Sequence, residues 1–198
     1  MVQAYIDRCR KIQPFINAIV DDNFDEAILE AKRIDEMVSR QLAGDKNPNE
    51  PSIDDLPMIG IPFTAKDSIT VKGKSNTGGC IVRKGIKGET DDKVVERMKR
   101  AGGIFLAMTN VPEAVMWFSC SNKVYGRTKN PYDLNRIPGG SSGGEGSIIS
   151  SAGSVCGIGS DLGGSIRIPS FYCGLFGHKT TPGYVEVEGL NLALGNQK

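Results

Sequence analysis

Gly139-Gly140-Ser141-Ser142-Gly143-Gly144-Glu145 and Ser160-Asp161-Leu162-Gly163-Gly164-Ser165-Ile166-Arg167-Ile168-Pro169 are two serine-bearing glycine clusters in the last third of the chain. Glycine reaches backbone conformations that side chains forbid and lets the main chain approach a substrate closely. Glycines packed around small hydroxyls therefore suit a site where peptide N–H groups reach the reacting atom. A serine in such a place is the nucleophile, or a neighbour that handles its proton. Glycine-serine tracts are also the composition of flexible linkers. Here apolar segments flank both runs, and Gly163-Gly164-Ser165 falls between a strand pattern and a helix pattern, which favours built sites.

Serine needs a base within hydrogen-bond reach. One candidate is His178, the single histidine. The other is a lysine kept neutral by burial, since low dielectric disfavours the ammonium. Lys66, in Gly60-Ile61-Pro62-Phe63-Thr64-Ala65-Lys66-Asp67-Ser68, follows a short apolar run and ends a predicted strand. Lys84, Lys87, Lys93 and Lys99 stand among polar neighbours and read as solvated surface. Gly139-x-Ser141-x-Gly143 also satisfies the G-x-S-x-G elbow of the α/β-hydrolases, with Asp161 and His178 as the remaining triad members. That elbow needs a strand before it, and Asn130 to Pro138 is turn-rich instead.

Outward from these runs, helix and strand patterns alternate. Val2 to Lys11 reads as a short helix and Phe15 to Val20 as a strand. Asp21 or Asp22 then caps a long amphipathic helix with Phe24, Ala27, Ile28, Ala31, Ile34, Met37 and Val38 on one face. Met58 to Phe63 and Ile69 to Val71 read as strands flanking Lys66. Asp91 or Asp92 opens a helix ended by Gly102-Gly103, and Ile104 to Met108 is a buried strand. Ser142 to Ala152 reads as a helix, Val155 to Ile158 as a strand, and Ser165 to Tyr172 as the start of another helix. The rhythm predicts an α/β fold with a partly parallel sheet. A nucleophile at a helix start would have unpaired N–H groups and the positive dipole end beside it.

The 198 residues carry 24 basic and 23 acidic side chains, a net charge of +1. That balance gives no electrostatic case for nucleic acid. Five widely spaced cysteines, with no Cys-x-x-Cys and one histidine, leave no zinc-ligand pattern and fit free thiols. No apolar run approaches the ~18 residues that span a bilayer.

Taken together, the glycine-serine segments and Lys66 resemble the amidase signature family of serine–serine–lysine hydrolases. The similarity runs from about residue 2 to residue 185 and includes Val94 to Pro112. The resemblance implies the amidase signature fold: a central mixed, mostly parallel sheet flanked by helices. It assigns Ser165 as nucleophile, Ser141 as bridging serine after a cis Gly140-Ser141 peptide, and Lys66 as ultimate base. It places the oxyanion hole at the N–H groups of Leu162, Gly163, Gly164 and Ser165. The implied mechanism needs no cofactor or metal.

Within the family, Ile168 after Arg167 and Glu145 after the glycine pair depart from the glutamine-dependent subunits that act on misacylated transfer RNA. GGSSGGEG, GSDLGGSIRIPS and Gly174 to Lys179 look most like the type-2 branch of animal fatty-acid amide hydrolases. The expectation is a small-molecule acyl amide substrate. Membrane association and a homodimer are left open for a longer protein. Residues 1–198 are then expected to be the N-terminal part of a single domain, truncated at both ends; an inactive fragment is one alternative and the transfer-RNA amidotransferase subunit the other.

Arg167 is expected to pair with Asp161 and hold the oxyanion loop rigid. Cys156 and Cys173 read as packing residues. Trp117 and Phe118 read either as lining of an apolar channel or as core, and His178 as a structural hydrogen-bonding residue.

Overall fold

A computed structural model describes residues 1–45 and 47–185. Helix α1 (Val2–Ile16) buries Val2, Ile6, Cys9, Ile12 and Ile16 on one face. It runs well past Lys11 and absorbs Phe15 and Ile16, which the sequence assigned to a strand. The apolar stripe keeps helical spacing up to Ile16, and Asn17 then closes the helix in the left-handed conformation, φ 48°. Strand β1 (Ile19–Asp22) therefore starts later. Helix α2 (Phe24–Leu42) follows with Phe24, Ala27, Ile34 and Met37 buried. Its N-cap is Asn23, rather than Asp21 or Asp22, because the Asn23 amide is held by the Phe105 carbonyl at 3.1 Å.

Strand β2 is Pro62–Lys66, buried along its whole length. No strand forms at Ile69 to Val71. The N–H groups of Ser68 and Ile69 both donate to the Lys66 carbonyl, at 2.7 and 2.9 Å, so the chain turns as soon as Lys66 is placed. Ile69 and Val71 are buried as core side chains of that turn. Helix α3 (Lys93–Arg100) is capped by Asp92, whose side chain accepts from Val94 N. Strand β3 is Ile104–Thr109. A small antiparallel pair, β4 (Ser121–Asn122) with β5 (Gly126–Arg127), precedes helix α4 (Gly143–Ser150). Strand β6 (Cys156–Ile158) and helix α5 (Arg167–Tyr172) follow.

The main sheet has the order β1-β3-β2-β6. β2 is parallel to both β3 and β6, and β1 is an antiparallel edge. This is the partly parallel α/β sheet that the alternation predicts, in the mixed, mostly parallel form that the family resemblance implies. Its two faces have different company. Ile104, Leu106 and Ala107 pack with α1, α2 and Ile148 of α4. Phe63, Ala65, Phe105 and Met108 pack with Val95 of α3 and with Ile69 and Val71. Between Phe63 and Thr64 the β2–β3 register skips a residue, so that Phe63 faces Phe105 but Thr64 faces Ala107. Such a bulge resets the alternation of one strand against its neighbour. Here it lets Thr109 share a face with Ile104 and with Thr64 and Lys66 of β2. That face meets α4.

Candidate active site

Lys66 is the last residue of β2 and is fully buried. Strand alternation sends it to the α4 face, opposite Ala65. Its Nζ lies 2.7 Å from Ser141 Oγ, 3.0 Å from Ser160 Oγ and 3.4 Å from the Ser160 carbonyl. Ser141 is itself buried and follows a cis Gly140-Ser141 peptide. The loop that carries it leads into α4, whose first turn rests on the end of β3. Gly144 makes that approach: its N–H donates to the Asn110 carbonyl at 3.0 Å, and a Cβ there would overlap Asn110 backbone atoms.

The second cluster is tied to the first through Ser142, whose N–H donates to the Ser165 carbonyl at 3.1 Å. Lys66, Ser141 and Ser165 are thus gathered by β2, the loop before α4 and the loop before α5. Ser160 joins them as a direct neighbour of the amine. Among the described residues, Asp161 organises the Ser165 loop. Its carboxylate accepts from Gly164 N (2.7 Å), Ile166 N (3.0 Å) and Arg167 N (3.2 Å). It also takes Arg167 in a forked pair, Nε at 3.0 Å and Nη2 at 2.9 Å. The Asp161 side chain has no exposed surface, while that of Arg167 is 55% exposed. Burial alone would raise the Asp161 carboxyl. The hydrogen bonds from Arg167 and from the Ile166, Arg167 and Gly164 N–H groups outweigh it and hold the group well below the usual carboxylate range.

This geometry corrects two expectations. Helix α5 begins at Arg167 with Ile166 as N-cap, so Ser165 lies before the helix and outside its first turn. The N–H groups at that helix start belong to Asp161. Gly164 N–H is also committed to Asp161, which removes it from the proposed oxyanion donors in this conformation. Among the described residues, Leu162, Gly163 and Ser165 keep N–H groups with no protein acceptor. Leu162 and Gly163 are solvent-exposed, and Ser165 is half-buried.

Burial pushes the Lys66 amine from 10.5 down to about 7, against the opposing charges of Glu145 and Asp161. A neutral amine has two N–H donors and one lone pair. Lys66 Nζ is within donating distance of Ser141 Oγ and both Ser160 oxygens; in the neutral form the two Ser160 oxygens would accept its hydrogens and the Ser141 hydroxyl would donate to the lone pair. His178 is exposed and makes no hydrogen bond among the described residues, against the expectation of a structural role. With the Asp161 carboxylate filled by Arg167 and backbone, no Ser-Asp-His arrangement is assembled.

Next to Gly163 and Gly164 lies an open groove of about 540 Å³, bounded by Phe118, Arg167, Ile168, Phe171 and Tyr172. Trp117 and Phe118 are 66% and 55% exposed. Neither is core, and Phe118 lines the groove. Sequence reasoning missed Ser160 and Glu145 as members of the site, although both stand inside the quoted clusters. It also missed Cys120, a fully buried thiol that burial pushes up to about 11. Among the described residues no helix is long and apolar enough to cross a membrane.

Known proteins share this arrangement of chain. Fatty-acid amide hydrolase 2-A of Danio rerio is 46% identical over 189 residues, 96% of this chain and 35% of that protein. Fatty-acid amide hydrolase 2 of Homo sapiens is 45% identical, over 100% of this chain and 37% of that protein. A solved structure of fatty acid amide hydrolase superposes with a TM-score of 0.75 at 30% identity, covering 85% of this chain and 28% of that one. The chain thus spans little more than a third of the length of the curated relatives it matches. The family model described as Amidase matches residues 1–197, and with the sheet and the lysine–serine geometry in place, the chain belongs to the amidase family.

Proposed function

We propose that these residues form the catalytic centre of a serine amidase that hydrolyses fatty-acid or other apolar acyl amides. The observation that carries the reading is the 2.7 Å contact between a fully buried Lys66 amine and Ser141 Oγ, with Ser165 tethered alongside. The similarity to fatty-acid amide hydrolases at 45–46% identity supports the choice of substrate. So does the groove beside Gly163 and Gly164, walled by Phe118, Ile168, Phe171 and Tyr172.

In this mechanism neutral Lys66 accepts the Ser141 proton as Ser141 takes the proton of Ser165. Ser165 Oγ attacks the amide carbonyl. The N–H groups of Leu162, Gly163 and Ser165 stabilise the oxyanion, where one such donor is typically worth about 3–4 kcal/mol. The proton returns through Ser141 to the amine as the carbon–nitrogen bond breaks, and water hydrolyses the acyl-enzyme. Asp161 and Arg167 hold the loop that carries these donors.

The test is hydrolysis of a long-chain primary acyl amide, followed by release of the acid and ammonia, in parallel with glutamine as substrate. Acyl amide turnover that is lost in Ser165→Ala is expected. Ammonia release from glutamine, with acyl amides inert, would replace this reading by that of an amidotransferase subunit.

A further inference from the structure

Glu145, the third residue of α4, is buried with its carboxyl between two hydroxyls. Thr64 Oγ donates to Oε2 at 2.7 Å, and Thr109 Oγ lies 2.8 Å from Oε1. Thr64 shares a β2 face with Lys66, and Thr109 is the register partner of Lys66 on β3. From the far side β6 leaves room for the carboxyl: a Cβ on Gly157 would overlap Glu145 Oε2. Among the described residues no cation stands within ion-pair distance of this carboxyl.

The hydroxyls accommodate both protonation states. Thr109 Oγ also lies 3.5 Å from the Ala65 carbonyl, and one hydroxyl hydrogen cannot serve Ala65 O and Glu145 Oε1 together. A neutral Glu145 that donates from Oε1 to Thr109 Oγ frees the Thr109 hydrogen for Ala65 O. An ionised Glu145 accepts from both threonines instead.

We propose that Glu145 is a positioning residue for the base: near neutral pH its carboxyl and the Lys66 amine hold one proton between them, and there Lys66 is neutral when Glu145 keeps it. The inference rests on the reading of Lys66 as base. The two arrangements, ammonium with carboxylate and amine with carboxylic acid, have equal charge and equal proton count, so exchange between them takes up no net proton from solvent. Glu145 reaches the reaction only through Lys66.

Burial, opposed by hydrogen bonds from Thr64 and Thr109 and by the lysine charge, pushes the Glu145 carboxyl up to about 7, level with Lys66. Neighbouring groups bias the pair. The Asp161 carboxylate favours the ammonium, whereas burial pushes the Cys120 thiol up to about 11 and leaves it uncharged where the pair titrates. Cys156 on β6 is itself pushed up by burial and by the Glu145 charge.

Glu145→Gln keeps the volume and lets the carboxamide satisfy both threonines. Lys66 is then read directly by ¹³C NMR of lysine-labelled protein, with its resonance assigned by loss in Lys66→Met. In the unmodified protein the amine should titrate over a broadened, two-step curve. In Glu145→Gln it should titrate in a single step, lower by about 1 pH unit. The acid limb of kcat/KM should move with it. A shifted NMR curve with an unmoved acid limb would leave the coupling intact and remove Lys66 as the base. An unchanged NMR curve would overturn the proposal. Should the variant fail to fold, infrared difference spectra of the unmodified protein decide. A protonated-carboxyl band that persists in Asp67→Asn, since burial pushes the Asp67 carboxyl up to about 6 as well, and that fades as pH rises through about 7 in step with the lysine resonance, is expected; its absence at about pH 6 overturns the proposal.

Discussion

Replacing Lys66 with methionine should stabilise the fold while it abolishes turnover. The ordinary amine titrates at 10.5 and the buried one at about 7. Between those values the unfolded chain holds a proton that the folded chain lacks. Stability therefore climbs with pH across that window, and the full burial penalty stands below about pH 7. At about 1.4 kcal/mol per pH unit the penalty approaches 4–5 kcal/mol, an upper bound for a group coupled to Glu145. Methionine removes it at similar length. The substitution also leaves Ser141 Oγ and Ser160 Oγ without the amine, a loss of about 1–3 kcal/mol. The expected net gain is about 1–3 kcal/mol at pH 7, shrinking to zero or reversing as pH approaches about 10. Urea unfolding of both proteins at a series of pH values measures it, with the m-value as the check that the unfolded state is unchanged. A stability difference that does not vary with pH would refute the claim that a buried, neutral amine sits at the end of β2.

Three further outcomes bear on the site. A fluorophosphonate should label Ser165, and peptide mapping that finds the label on Ser141 with Ser165 unmodified would reverse their roles. Lys66→Ala should lower kcat/KM by about 10²–10⁴-fold, whereas His178→Ala, an exposed side chain, should leave it nearly unchanged; the opposite ranking would revive a histidine base. Asp161 is held below the ordinary carboxylate range, so its stabilisation is present above the unfolded value of about 3.9 and is lost as pH falls through the folded one. Asp161→Asn should accordingly weaken the protein at neutral pH and flatten the acid side of its stability profile, and a profile identical to that of the unmodified protein would contradict the forked Arg167 pair.

Where local chemistry and tertiary packing agree, the elements are readable from residues alone. Asp92 caps α3, Gly102-Gly103 follows it, and the unbroken apolar run of β3 needs no context. The misreadings fall where a buried segment has no periodicity of its own. Ile69 and Val71 are core side chains on a turn, and three residues cannot distinguish a turn from a strand. At the end of α1, Phe15 and Ile16 read as the start of a strand, yet the helix carries Pro14 and closes only at Asn17. Continued burial of Ile12 and Ile16 against α2 and β3 outweighs the local penalty.

The site shows the same division more sharply, through two acidic residues that lie in neighbouring motifs. Asp161 receives five hydrogen bonds, two of them from a guanidinium, and stays ionised despite a buried side chain. Glu145 receives two hydroxyls and no cation, so burial dominates and its carboxyl rises to about 7. Sequence gives both as carboxylates beside glycine and serine; only the count of donors around each separates them. Lys66 feels both charges. An Asp161 carboxylate that is permanently ionised always favours the ammonium and cannot switch the base. Among the charges acting on Lys66, Glu145 is the one that can change near neutrality, which is why the tuning of the base is proposed to lie at α4.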